Sequence, residues 1–369
     1  MKPLNITLPV MLHKEQEISA FKEAQGRLKA LGERYNVPIE VGAFLLYLPG
    51  SSRTPEAFAQ QIKNQTTHRL PIRLVETGVQ QANSLAYSSN DPTFKPDIPS
   101  GLERTLEQAA VLRDLDPTAS GKLVVAPQVG VLVIDSLKQG DFSFPSGYSV
   151  PDFLEHRDQL YQRAKELFDQ LRQLGSRRGL DIAIENTFSA VFEPIGSWEK
   201  TPKDQPPKLG INYQVFQDRA SLVDLSQGNL VLDAGHLAAM QNIPARFKQN
   251  EDIIKPYALF ATLGISTWEE FPAKVGTIAD YLQYTRAFHL SPTDGLGIRV
   301  HIGSPEGKRW GDGTGPDLIT PEIYSTCLNH ASANSRPVAI EVDYSLKPLT
   351  YKEADTFLEA RLQALTPAR

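Results

Sequence analysis

The sequence predicts a single α/β domain, a (β/α)8 TIM barrel with loop insertions, and three observations lead to this prediction. Short apolar runs alternate with long amphipathic stretches, which is typical of repeated βα units on a parallel sheet. The length of 369 residues exceeds the roughly 250 residues of such a barrel and leaves material for insertions. The first apolar run leads directly into a helix, where an open doubly wound sheet normally carries a glycine-rich phosphate loop.

The elements follow from hydrophobic periodicity. The predicted helices have apolar residues at three- and four-residue spacing and cover residues 14–35, 151–178 and 351–365. The predicted strands are β-branched or apolar runs at residues 5–12, 39–48, 122–134, 181–185, 229–233, 297–301 and 338–342. Three irregular segments near residues 82–100, 140–150 and 193–208 are interpreted as insertions into one domain that spans residues 1–369.

Composition and charge limit the classes of function. The chain is 41% hydrophobic and 22% charged with a net charge of −5, which gives no overall attraction to nucleic acid or to an anionic membrane. Cys327 is the single cysteine, so an intrachain disulfide and a cysteine-rich zinc module are excluded. The first twelve residues are too polar and too few for a signal peptide. We expect a cytoplasmic protein with a small-molecule substrate, and homo-oligomer formation is left open.

Four predicted strands end in residues that can bind a metal ion. These residues are Glu185, Asp233, His301 and Glu341. One carboxylate at a strand end is usually a helix cap or a solvated loop residue, but four such ends in strand order indicate a shared site. The carboxyl ends of barrel strands meet at the face where active sites form. Three carboxylates and one imidazole suit one divalent ion, Mn²⁺, Mg²⁺, Co²⁺ or Zn²⁺.

The motifs around these strand ends resemble those of the xylose isomerase-like TIM barrels. This superfamily includes sugar isomerases and epimerases of the tagatose 3-epimerase type, inosose dehydratases and endonuclease IV, an AP endonuclease of family 2. The resemblance covers residues 150–345 and implies that the four strand-end residues bind the metal and that His236 binds substrate. It rests on Ile184-Glu185-Asn186, on Leu232-Asp233 with His236, on Val300-His301 followed by Lys308, Arg309 and the Gly313-Thr314-Gly315 loop, and on Ile340-Glu341.

Two features depart from the family pattern. Tagatose-type epimerases carry a second Glu six residues after the first ligand, where this chain has Val191 and the nearest carboxylate is Glu193. The interval from His236 to His301 is longer than in compact members of the family, so an extra helix or lid is expected there. Both departures bear on the substrate rather than on the fold.

The leading functional hypothesis is a divalent-metal-dependent isomerase or epimerase that acts on a sugar or related hydroxy-carbonyl compound through an enediolate. Glu185 and Glu341 are the candidate catalytic carboxylates, because they could remove and return a carbon-bound proton. His236, Arg309 and Lys308 are the candidate substrate-binding residues.

Two other classes stay open. An endonuclease IV-like phosphodiester hydrolase would need two or three metals and further histidines from the second, third and seventh strands. A non-catalytic ligand-binding barrel is the other alternative, since a fold does not imply catalysis. The remaining histidines are predicted to lie in loops or helices as surface or capping residues; they are His13, His68, His156, His289 and His330. His13 is a partial exception, because it follows the first strand and could face the pocket.

Overall fold

The computed structural model describes most of the chain, and the statements below concern those residues. They are residues 2–47, 54–77, 100–116, 123–127, 150–187, 190–194, 209–213, 215–249, 256–290, 317–340 and 351–365.

Strands and helices alternate along the described residues. The strands are β1 (Leu4–Val10), β2 (Ile39–Tyr47), β3 (Ile72–Thr77), β4 (Leu123–Ala126), β5 (Leu180–Ile182), β6 (Ile184–Glu185), β7 (Ala190–Pro194), β8 (Leu209–Tyr213), β9 (Leu230–Asp233), β10 (Thr285–Leu290) and β11 (Pro337–Ile340). The helices are α1 (Glu15–Tyr35), α2 (Pro55–His68), α3 (Ser100–Asp114), α4 (Val150–Arg177), α5 (Arg219–Ser226), α6 (Ala234–Gln241), α7 (Ile243–Gln249), α8 (Tyr257–Leu263), α9 (Phe271–Val275), α10 (Ile278–Tyr281), α11 (Pro321–Asn334) and α12 (Lys352–Leu365), with a 3₁₀ helix at Leu282–Tyr284.

The parallel sheet closes into a barrel, which confirms the predicted fold class. Its strand order is β5-β4-β3-β2-β1-β11-β10-β9-β6, so β5 and β6 form the two ends of the written order. These two segments are parts of one extended stretch interrupted only at Ala183. The Ala183 N–H donates to Val125 O on one side (3.0 Å), and the Ile184 N–H donates to Asn229 O on the other (3.0 Å). Residues 180–185 therefore act as one barrel strand, the fifth along the chain, which joins β4 to β9 and completes a set of eight.

Apolar side chains form two layers, one on each face of the barrel. On the outer face, strand residues such as Ile6 and Leu8 pack against helix residues such as Phe21 and Leu28. The alternation of side chains along a strand sends every second residue into the barrel. The inner cluster consists of Phe44, Leu74, Val124, Ala126, Ala183, Val231, Ala287 and Ala339.

The seventh barrel strand differs from the sequence prediction. β10 pairs with β9 on one side and with β11 on the other, so Thr285–Leu290 occupies the place expected for residues 297–301. Residues 297–301 themselves lie outside the described residues. The prediction that His289 lies in a loop or helix is wrong, because His289 belongs to β10. The run around it mixes polar with apolar residues, and its apolar side chains lie on both faces of the barrel wall. The third barrel strand, β3, was also not identified from the periodicity, and it pairs with β2 on one side and with β4 on the other.

The predicted insertions lie largely outside the described residues. The segments near 82–100 and 140–150 are described only where α3 and α4 begin. The segment near 193–208 begins within β7, which pairs with β8 as an antiparallel ribbon. No described helix combines the length and the apolar character that crossing a membrane requires.

Candidate metal centre

Three buried residues converge at the carboxyl ends of neighbouring barrel strands. Glu185 ends β6, Asp233 ends β9, and His289 is the next-to-last residue of β10. One ligand atom from each of the three lies within 4.8 Å of the other two, and all three residues are fully buried. Two carboxylate oxygens and one imidazole nitrogen are a donor set that divalent ions such as Mn²⁺ and Zn²⁺ accept. The group could therefore hold a metal ion.

Strand pairing explains why these residues meet. Asp233 and His289 are direct partners in the parallel register of β9 and β10, and their side chains share one face. Glu185 is the register partner of Val231, an inner-cluster residue two positions before Asp233. All three residues therefore continue the inward-facing rows toward the carboxyl end of the barrel. The Glu185 Oε1 to His289 Nδ1 distance is 3.3 Å.

Asp233 has a second role as the N-cap of α6. Its Oδ1 accepts a hydrogen bond from the His236 N–H at 2.8 Å. Capping by an Asp side chain satisfies one of the unpaired N–H groups at the start of a helix. The strand end and the helix start are thus joined at the residue that faces the proposed metal.

His236 is buried beside the same carboxylates. Its Nδ1 lies 2.8 Å from the backbone oxygen of Asn186, 3.4 Å from Asp233 Oδ2 and 3.8 Å from Glu185 Oε1. A carbonyl oxygen can only accept, so Nδ1 carries the proton of this hydrogen bond. In the neutral ring Nε2 is then a hydrogen-bond acceptor. Such an acceptor suits a hydroxyl group of a ligand.

His289 is the site residue that sequence analysis did not identify. The predicted imidazole ligand was His301, which lies outside the described residues, as do Glu341, Lys308 and Arg309. The signal that could have found His289 is the alternation of Ala287 and His289 on one face of a short run. That signal is weak, and only the pairing of Thr285–Leu290 with β9 and β11 identifies this run as a strand.

Two further residues near the carboxyl ends of the first strands complete the description. Glu76 of β3 follows the inner-cluster residue Leu74 by two positions and is 6% exposed, so its carboxylate belongs to the inner face. His13 follows β1, and its Nδ1 is buried with no hydrogen-bond partner among the described residues. Burial, and then the adjacent Lys14 ammonium, lowers the pKa of His13 below the ordinary histidine value. Its imidazole is therefore neutral near pH 7.

The phenyl ring of Phe44 reaches the site from the opposite side of the barrel. The centroids of the Phe44 and His289 rings are 5.2 Å apart, with the ring planes inclined by 53°. Phe44 belongs to β2 and His289 to β10, so this contact crosses the interior. It places a ring of the inner cluster against one of the three candidate ligands.

Comparisons with known proteins give structural matches only. No protein-family model and no curated protein sequence matches the chain. A solved D-tagatose 3-epimerase-like protein is similar at 10% identity, covering 99% of this chain and 98% of that one, with a TM-score of 0.47. A sugar phosphate isomerase/epimerase from Parabacteroides distasonis is similar at 13% identity, covering 100% and 97%, with a TM-score of 0.45.

A third solved structure is similar along nearly its whole length. It is a xylose isomerase domain protein from Planctomyces limnophilus, at 11% identity, covering 99% of this chain and 98% of that one, with a TM-score of 0.40. These proteins carry names of the family that the sequence motifs resemble. At such low identities the likeness concerns the fold alone, so a function has to be inferred from the residues of this protein.

Proposed function

We propose that this protein is a divalent-metal-dependent isomerase or epimerase of a sugar or a related hydroxy-carbonyl compound. The observation that carries the proposal is the buried Glu185, Asp233 and His289 group at the carboxyl ends of adjacent strands of a closed (β/α)8 barrel. Buried carboxylates are costly unless they are paired or bind a cation. Their place at the end of the barrel that holds active sites favours a functional role.

The donor set indicates which residues would hold the ion. Glu185, Asp233 and His289 supply two oxygens and one nitrogen, and Glu341 is the predicted fourth ligand from the last strand. His301, the imidazole ligand expected from sequence, lies outside the described residues. The position of His289 beside Glu185 and Asp233 supports it as the imidazole ligand. When bound, a divalent ion supplies Lewis-acid polarisation of carbonyl and hydroxyl oxygens.

The chemistry assigned to the protein itself is proton transfer. A carboxylate, Glu185 or Glu341, accepts the proton from the carbon next to the substrate carbonyl. The electron pair of that C–H bond forms the C=C double bond of an enediolate, and the π pair of the carbonyl group moves to its oxygen. In an isomerisation the protonated carboxyl group then returns the proton to the neighbouring carbon. In an epimerisation the other carboxyl group, on the opposite side of the substrate, delivers a proton to the same carbon. Nε2 of His236 accepts a hydrogen bond from a substrate hydroxyl, while Lys308 and Arg309 are the proposed partners of other substrate oxygens.

The proposal is tested by metal content followed by solvent exchange. Full-length protein stripped of metal would be titrated with Mn²⁺, Co²⁺ and Zn²⁺ and then incubated in D₂O with a panel of ketoses, aldoses and inososes. One bound equivalent and deuterium at a substrate carbon support the proposal. Two or three equivalents would support an endonuclease IV-like hydrolase, and no metal with no turnover would support a ligand-binding barrel.

Wild-type turnover in D₂O separates proton transfer from a hydride shift, and Glu185→Gln tests the carboxylate. Glu185→Gln keeps the shape of the side chain but removes its basicity, so it should abolish deuterium incorporation. Turnover in the wild-type protein without any deuterium incorporation would contradict the enediolate route. It would favour hydride transfer between the two carbons.

A further inference from the structure

Asn186 makes an irregular contact at the strand end next to Glu185. In a regular parallel ladder, the backbone N–H of one residue bonds to one neighbour and its backbone carbonyl oxygen accepts from the residue two positions further on. The first of these bonds is present, because the Asn186 N–H donates to Val231 O at 3.3 Å. The second would run from the Asp233 N–H to the backbone oxygen of Asn186.

The side chain of Asn186 takes over that second bond. The Asp233 N–H donates to Asn186 Oδ1 at 2.7 Å, and Asn186 Nδ2 donates to Asp233 O at 3.0 Å. The carboxamide therefore binds both polar groups of the Asp233 backbone at once. This pair of bonds extends the junction of β6 and β9 at the residue that presents the candidate ligand.

Because the side chain accepts the bond from the Asp233 N–H, the backbone oxygen of Asn186 is available for another donor. That oxygen lies 2.8 Å from His236 Nδ1. One residue thus fixes the backbone of Asp233 with its side chain and orients the His236 ring with its own backbone. Both Asn186 and His236 are buried, so water does not compete for these bonds.

We propose that Asn186 is a positioning residue, which holds Asp233 for the metal and His236 for the substrate through an amide group that replaces a backbone hydrogen bond. This inference rests on the proposed metal site. A carboxamide offers a donor and an acceptor side by side in one plane, whereas an ionised carboxylate only accepts. Partners that orient metal ligands typically contribute about 10- to 100-fold in metal affinity.

The test is the affinity of metal-stripped, full-length protein for Mn²⁺, measured by isothermal titration calorimetry. Asn186→Ala removes both bonds, and we expect the dissociation constant to rise by about 10- to 100-fold. Asn186→Asp keeps the shape and one acceptor but places an oxygen against the Asp233 carbonyl oxygen. It also adds negative charge near the cation, so an electrostatic effect alone would tighten binding, whereas loss of positioning weakens it.

Gln217→Ala is the matched control. The Gln217 Oε1 accepts from the Thr187 N–H at 2.8 Å, so this variant removes a buried hydrogen bond at the same strand end without touching Asp233. It should leave Mn²⁺ affinity unchanged. The visible absorption spectrum of bound Co²⁺ should change in the two Asn186 variants and stay the same in the control.

Several results would overturn the inference. Wild-type affinity in folded Asn186→Ala, tighter binding in Asn186→Asp, or an equal loss in Gln217→Ala would each do so. If one Asn186 variant fails to fold, as judged by circular dichroism, the other decides. Absence of Mn²⁺, Co²⁺ and Zn²⁺ binding by the wild-type protein would overturn the metal proposal itself, which is a different outcome from normal binding in both variants.

Discussion

The two halves of the barrel differ in what they place inside it. The first half, β1 to β4, contributes the larger inner side chains of Phe44, Leu74 and Val124. The second half, residues 180–185 with β9, β10 and β11, contributes Val231 and three alanines, and the three candidate ligands follow toward the carboxyl ends of its strands. Large side chains on one wall fill the space that small ones leave on the other, as close packing requires.

From this difference we expect substitutions inside the first half to affect mainly the stability of the fold, and substitutions at the ligands of the second half to affect mainly metal binding. The first half fills the interior, and the contact of the Phe44 ring with His289 shows that its side chains reach one candidate ligand. The second half leaves room at its carboxyl end for the three candidate ligands, while the first half places the carboxylate of Glu76 on the inner face. The following substitutions would break or sharpen this division, ordered from the largest expected effect to the smallest.

Asp233→Asn should abolish metal binding in the second half. The amide keeps an N-cap acceptor for α6 but loses the ligand charge, so Mn²⁺ affinity should fall by more than about 100-fold, beyond the loss typical of a supporting residue. Asp218 is a matched control, because it caps α5 in the same way and accepts from the Ser221 N–H. Asp218→Asn should bind Mn²⁺ normally, and a similar loss in both variants would contradict the assignment of Asp233.

Leu74→Ala should affect stability rather than binding. Leu74 is fully buried in the inner cluster of the first half, and a large-to-small change at such a site lowers the free energy of unfolding by about 2–5 kcal/mol. Urea denaturation of the metal-free protein measures this loss. The conservative Leu74→Met should cost less than about 1.5 kcal/mol, and a marked fall in Mn²⁺ affinity for Leu74→Ala below the unfolding transition would weaken the division.

His236→Ala should lower substrate affinity and leave metal content nearly unchanged. Loss of one hydrogen bond to a hydroxyl is worth about 0.5–1.5 kcal/mol, equivalent to a rise in KM of about 2- to 10-fold. Metal analysis together with steady-state kinetics checks both parts. His68→Asn serves as control, because His68 pairs with Glu15 between outer helices, and loss of metal from His236→Ala would show that His236 is a ligand.

Glu76→Gln should have the smallest overall effect of the four, with Mn²⁺ affinity nearly unchanged. Glu76 lies on β3, opposite β10 in the barrel order, and it is not part of the group whose ligand atoms lie within 4.8 Å of one another. The amide keeps the shape of the buried side chain. A loss of metal affinity as large as that of Asp233→Asn would place a ligand in the first half and end the division.

Sequence analysis identified two of the three converging residues and missed the third for a physical reason. Glu185 and Asp233 each end an unbroken apolar run, which is a local signal. His289 lies in Thr285–Leu290, where Arg286 and His289 interrupt the apolar residues. A run of this kind becomes a strand because β9 and β11 bond to it on both sides, and pairing of that kind is not visible in a short window.

The sequence by itself determined the βα alternation, the barrel class and the strand ends at Glu185 and Asp233, because these depend on periodicity within a few residues. Tertiary structure alone decided that, among the described residues, His289 joins them and that Glu76 faces inward, since both depend on how distant strands pair. It also decided that the amide of Asn186 replaces a backbone bond to Asp233. Strand register is set by packing across the whole barrel, so no segment read alone contains it.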